Sequence, residues 1–166
     1  MYHSFESKGK GELMFFYTFF TLLLLGGIFC IWRISVADFR RRIIPDAYLF
    51  PLFLIGLIVT HFFPWVCTTA ESIIGAVTGY TLAAIVGLAF EHFNKNKFDT
   101  PIGMGDIKLM AVAGLWLGTT GLAIALVFAC IFGAIWAHNK KQRFVPFAPF
   151  LTMGGFLSLI IILFLL

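Results

Sequence analysis

Apolar residues fill this chain in long blocks separated by short polar or glycine-rich stretches. The blocks fall at roughly 13–34, 47–66, 71–91, 105–118, 120–138 and 147–166, and most match the ~20 residues that a helix needs to cross a bilayer. Backbone polar groups must be satisfied internally in lipid, so each block is predicted as a helix. The expected fold class is all-α, a polytopic membrane protein of about six transmembrane helices. A polar tail over 1–12 precedes a membrane domain over 13–166, with polar connections at about 35–46, 92–104 and 139–146. The fourth block is the shortest, and only the turn signal Leu117-Gly118-Thr119-Thr120-Gly121 divides it from the fifth.

Composition agrees with that pattern. Of 166 residues, 60% are hydrophobic and 12% charged, and the mean hydropathy is +0.96, beyond what a water-soluble core of this size requires. The net charge of +4 is an orientation signal, because basic residues in short loops stay on the cytoplasmic side. Arg33 and Arg40 to Arg42 follow the first block, Lys95 and Lys97 the third, Lys108 opens the fourth, and Lys140, Lys141 and Arg143 follow the fifth. Only Lys8 and Lys10 lie opposite. Basic residues so placed call for contacts with membrane lipids and no nucleic-acid partner. The first block lacks an Ala-x-Ala cleavage pattern and is expected to be a retained helix. Cys30, Cys67 and Cys130 lie in or beside apolar blocks with no CxxC spacing, and are expected to pack rather than bind a metal.

Two carboxylates then matter most. Asp38 ends the first block in Val36-Ala37-Asp38-Phe39-Arg40-Arg41-Arg42-Ile43-Ile44-Pro45-Asp46, and Asp106 opens the fourth in Pro101-Ile102-Gly103-Met104-Gly105-Asp106-Ile107-Lys108. An acid at a membrane segment is a functional-site candidate. The charge asymmetry puts both at the cytoplasmic face, so packing of the first helix on the fourth would bring them together. Two carboxylates a few ångströms apart do not both ionise cheaply, so one keeps a proton while the other acts as base on a shared water. Such chemistry needs no cofactor and no metal. Gly103 and Gly105 offer unusual backbone angles or close approach beside the acid. The plainer readings are that Asp106 caps a helix and that Asp38 pairs with one of Arg40 to Arg42. Pro45 and Asp46 are expected to begin the second helix. The same acids would also serve a small proton-coupled transporter or channel, although neither lies at a predicted midplane. A non-catalytic assembly component is a third reading.

Together these motifs resemble the type IV prepilin peptidase family, membrane aspartic proteases of the GxGD type. The matching residues are Ala37-Asp38-Phe39-Arg40 through Ile44-Pro45-Asp46, then Gly103-Met104-Gly105-Asp106-Ile107-Lys108-Leu109, then Val145-Pro146-Phe147-Ala148-Pro149-Phe150 with Gly154 beyond. The resemblance implies an endopeptidase that removes the short basic leader of a prepilin, pseudopilin or preflagellin precursor at the cytoplasmic face of the cytoplasmic membrane. It assigns Asp38 and Asp106 as the catalytic pair, with Gly103, Gly105, Lys108, Arg40, Pro45 and Pro146 as motif or substrate-approach residues. Larger bacterial members resemble this core preceded by a CxxC-bearing domain and also N-methylate the trimmed pilin. This chain resembles the shorter Flp-type or archaeal preflagellin peptidases, so a peptidase activity alone is expected.

The remaining signals are structural. Gly75-x-x-x-Gly79 and Gly114-x-x-x-Gly118 predict close helix contact. Trp32, Trp65 and Trp136 suit interfacial positions, and His61, His92 and His138 are scattered over both faces, unlike metal ligands.

Overall fold

The structure is a computed structural model that describes residues 2–64, 67–93, 102–141 and 145–165, with side chains described within 14–64, 67–92, 102–141 and 145–164. Trp65, Lys95, Lys97, Pro101 and Arg143 lie outside the described residues, as do the side chains of Lys8 and Lys10. Five helices account for almost all of the described chain: α1 (Tyr2–Arg41), α2 (Asp46–Phe62), α3 (Thr69–Phe93), α4 (Met104–Lys140) and α5 (Phe147–Leu165).

One residue turns five helices into six segments. Gly118 has φ 68 and ψ −176, outside helical geometry, in the middle of α4. A Cβ built on Gly79 of α3 meets the carbonyl of Met110 and lies 3.1 Å from Leu122 Cδ2. Residues 110 and 122 would be about 18 Å apart along an unbroken helix, so the chain turns back at Gly118. We call the halves α4a (104–117) and α4b (119–140). The division matches the boundary predicted between the fourth and fifth blocks. α5 runs back along α4b, with the Ser158 hydroxyl donating to the Gly121 carbonyl at 2.8 Å and Gly154 against the backbone of Ala125 and Ala129.

The surface is apolar. Large side chains such as Phe15, Leu22, Ile85, Leu88, Ile135 and Phe164 are exposed, which water would penalise and lipid does not. Four helical stretches, Met14–Arg41, Thr69–His92, Met104–Lys140 and Phe147–Phe164, are long and apolar enough to cross a membrane, and α2 is a shorter apolar helix. The chain is an all-α polytopic membrane protein.

Because lipid is as apolar as the core, close packing and hydrogen bonds hold such helices together. At the α3–α4a crossing, a Cβ on Gly114 would strike the Gly75 backbone, and one on Gly75 would strike Gly114. That is the contact predicted from the two Gly-x-x-x-Gly pairs. Trp116 lies between α1 and α2: a Cβ on Gly27 would be 3.3 Å from its ring, one on Gly56 would be 2.6 Å from Nε1, and Nε1 donates to the Leu52 carbonyl at 3.2 Å. Ile34, Leu52, Val59, Leu115, Ala125 and Ala148 form the buried interior.

Three boundaries differ from expectation. The tail placed over 1–12 belongs to α1, whose backbone is helical from Tyr2. The connection placed over 35–46 narrows to 42–45, because α1 continues through Arg41. Hydropathy marks where lipid contact stops, whereas a helix continues as long as its own hydrogen bonds and tertiary partners support it. The second helix stops at Phe62 rather than 66, with Phe63 at φ −134, because the following Pro64 disfavours helical geometry in the residue before it.

Candidate active site

Asp38 stands in the last turns of α1. Its carbonyl accepts the Arg42 N–H at 2.9 Å, and Arg42, at φ 55, adopts the left-handed conformation that commonly ends helices. A residue with a Cβ is held there at a cost of about 1–2 kcal/mol. The chain then reaches Pro45, at φ −76 and ψ 123, which precedes the first residue of α2, Asp46. This is the helix start expected of Pro45 and Asp46.

The Asp38 side chain is 5% exposed. Its Oδ2 accepts the Ala148 N–H at 2.7 Å, and the adjoining Phe147 N–H also acts on the carboxylate. These are the first two residues of α5, where N–H groups lack partners within the helix. Pro146 and Pro149 flank them and have no N–H to offer. The third motif therefore turns two amides toward Asp38, of which Ala148 makes the short hydrogen bond. Pro146 itself is buried.

Asp106 lies in the first turn of α4. The Gly103 carbonyl accepts the N–H groups of Asp106 at 3.0 Å and Ile107 at 3.3 Å, and the Gly103 N–H donates to Asp106 Oδ2 at 3.2 Å. Gly103, at φ −69, adopts a conformation open to any residue, so backbone freedom does not explain it. Gly105 is a matter of space: a Cβ there would lie 2.9 Å from Ile44 Cβ. The α1–α2 connection thus rests directly on the turn carrying Asp106.

The two acids meet electrostatically. The charge of Asp38 acts on Asp106, and that of Arg42 acts on Asp38. The plainer readings also have support, since Asp106 accepts the N–H of Gly103 at its own helix start and the charge of Arg42 acts on Asp38. They coexist with the pairing of the acids.

Lys108 pairs with a third carboxylate. Its Nζ donates to Asp46 at 3.0 Å (Oδ1) and 2.8 Å (Oδ2), joining the start of α2 to the start of α4. Arg40 is exposed at the end of α1. A groove of about 500 Å³ lies beside the Lys108–Asp46 pair, between Phe50 and Phe53 of α2, Tyr80 of α3, and Ala111 and Val112 of α4a. Residues two apart on a helix point about 200° apart, so this groove and Asp106 occupy different faces of α4a.

Sequence reasoning missed the amides of Phe147 and Ala148, the contact of Ile44 with Gly105, and the Lys108–Asp46 pair. The Pro-x-x-Pro spacing was a usable signal for the first. Among the described residues no three His, Cys, Asp or Glu side chains converge as metal ligands would, and no buried polar side-chain atom lacks a hydrogen-bond partner.

Residues 23–138 match the type IV leader peptidase family. Among similar proteins are three called prepilin leader peptidase/N-methyltransferase. That of Pseudomonas putida is 28% identical over 146 residues, 84% of this chain and 49% of the relative. That of Burkholderia pseudomallei is 31% identical over 128 residues, 73% of this chain and 40% of the relative. That of Escherichia coli K12 is 28% identical over 152 residues, 84% of this chain and 65% of the relative. This chain spans about half the length of the first of these. No solved structure matches it. The matched segment contains both Asp38 and Asp106 and covers well over half of the sequence: the chain belongs to the type IV leader peptidase family.

Proposed function

We propose that this protein is a membrane aspartic endopeptidase that removes the short basic leader of a prepilin, pseudopilin or preflagellin precursor. The observation that carries the reading is that the chain just after α1 rests on the turn bearing Asp106, with Ile44 against Gly105 and Asp38 near enough for its charge to bear on Asp106, at residues that resemble the catalytic pair of the family. Burial of Asp38 supports it, because an acid is kept from water only where something fixes it there.

In this reading the scissile carbonyl lies against the pair with one water. The ionised carboxylate takes a proton from the water as it attacks, and the protonated carboxyl gives its proton to the carbonyl oxygen. The site faces the cytoplasm, where the basic residues of the loops concentrate. Asp38 and Asp106 supply all the acid and base needed, and the methyl transfer in the relatives' names is not part of the proposal.

The test is co-expression with a tagged prepilin in cells that lack their own peptidase, following leader removal by gel shift. Wild type should cleave and neither Asp38→Asn nor Asp106→Asn should, with equal amounts of each in the membrane. Cleavage that survives both substitutions would sink the aspartic mechanism. A wild type that cleaves none of a panel of leaders would sink the peptidase reading.

A further inference from the structure

We infer that the two acids have unequal, preassigned roles: Asp38 is the ionised member and acts as the base, held in that state by the first two amides of α5, and Asp106 carries the proton. This rests on the peptidase reading above and adds which acid does which half of the chemistry, and what fixes the difference.

The donors around Asp38 favour a carboxylate. Two N–H groups converge on it, and the Ala148 contact, at 2.7 Å, has the length of a hydrogen bond to a charged acceptor. A protonated Asp38 would set its own O–H among donors, with neither amide able to receive it. The positive end of the α5 dipole adds to the same preference, as does Arg42 at the end of α1. α5 brings no titratable side chain to Asp38, and the influence opposing its charge is burial.

Asp106 is served less well. It too stands at a helix start, but it receives one N–H, from Gly103 of its own turn, at 3.2 Å. The cation two residues away, Lys108, is held by Asp46. What acts on Asp106 from α1 is the negative charge of Asp38. When two such carboxyls compete for one proton, each repels the other's charge alike, and the one with fewer and longer donor contacts keeps it.

Proton traffic then closes over one turnover. Attack by water forms the new C–O bond, its released proton goes to Asp38, and the Asp106 proton goes to the carbonyl oxygen, giving a gem-diol. On collapse the C–N bond breaks, Asp38 returns its proton to the leaving amine, and Asp106 recovers one from a diol hydroxyl. The pair ends as it began, with Asp38 ionised.

The test is a titration of the full chain in detergent micelles with aspartate carboxyls labelled with carbon-13. The chain has four aspartates, and Asp38→Asn and Asp106→Asn assign the two signals of interest. Asp38 should ionise first, at least about one pH unit below Asp106, and the reverse order would overturn the assignment. In Ala148→Pro, which removes one donor at a position in the first helical turn that tolerates proline, the Asp38 midpoint should rise by about one unit, as expected from loss of a hydrogen bond to a charged group. An Asp38 midpoint that does not move in this variant would overturn the role of α5. Reversed order with intact leader cleavage removes this inference alone, whereas the expected order with no cleavage removes the peptidase reading and the base role with it.

Discussion

Ile44 occupies the space that a side chain on Gly105 would need, its Cβ 2.9 Å from where a Cβ there would stand. One residue of the α1–α2 connection thereby sets how closely α1 approaches the turn bearing Asp106. In Gly105→Ala the connection must shift by a few tenths of an ångström or more, and misplacing reacting groups by about 1 Å costs about 100-fold in rate. We expect a fall in leader cleavage of about tenfold or more with normal membrane abundance. The double variant Gly105→Ala with Ile44→Val, which keeps the clashing Cβ, should recover little, whereas Gly105→Ala with Ile44→Gly should recover part of the activity. Gel-shift assays on the four proteins decide this.

The Lys108–Asp46 pair should matter modestly. Its side chains are 44% and 67% exposed, and ion pairs of that kind contribute about 0–1 kcal/mol. Lys108→Met and Asp46→Asn should each lower cleavage by no more than about fivefold. The charge swap, Asp46→Lys with Lys108→Asp, should cleave better than either of its component single variants. A loss of about a hundredfold in Lys108→Met would instead mean that the lysine touches substrate.

Gly118 tests the chain reversal. Its φ of 68 with ψ −176 belongs to a region that glycine alone occupies readily. A Cβ there would meet nothing closer than Cys67 Cβ at 3.4 Å, so the cost of Gly118→Ala is backbone strain rather than a clash. We expect a loss of about 1–3 kcal/mol, read as a lower melting temperature in detergent. An unchanged melting temperature would argue that α4 does not turn back there.

The glycines of α3 should separate sharply. Gly75→Leu drives a side chain into the α4a backbone, where rigid neighbours make overpacking cost about 1–3 kcal/mol or more, and folded protein should be scarce. A Cβ on Gly87 would make only an ordinary van der Waals contact, with Ile102 Cβ at 4.0 Å. Gly87→Ala should therefore be neutral or stabilise by up to about 1 kcal/mol, the gain in helix propensity. Size-exclusion profiles and melting temperatures of the two variants check both halves.

The helical segments, their order, the turn at Gly118 and the small-residue contact at Gly75 and Gly114 were all legible in the amino-acid sequence, and so were the two acids as candidates. They depend on composition and short spacings: a lipid-crossing helix must be long and apolar, a glycine pair four residues apart must share a face, and an acid among apolar residues stands out. The ends of α1 were not legible, because the polar run from Ser35 to Arg41 resembles a loop by hydropathy. It remains helical where Ser35 meets Thr152 at 3.2 Å and Asp38 meets α5.

What only the tertiary structure decided is the surroundings of each acid. Asp38 and Asp106 look alike in one dimension, each beside basic residues and at the end of an apolar block. Folding brings the Phe147 and Ala148 amides, 109 and 110 positions away in sequence, toward Asp38, and Ile44 onto Gly105, and it pairs Lys108 with Asp46. Backbone amides carry no side-chain signature and a shared face between distant helices has no period, so residue types and spacings determined which groups were available, and helix packing alone determined which of them meet.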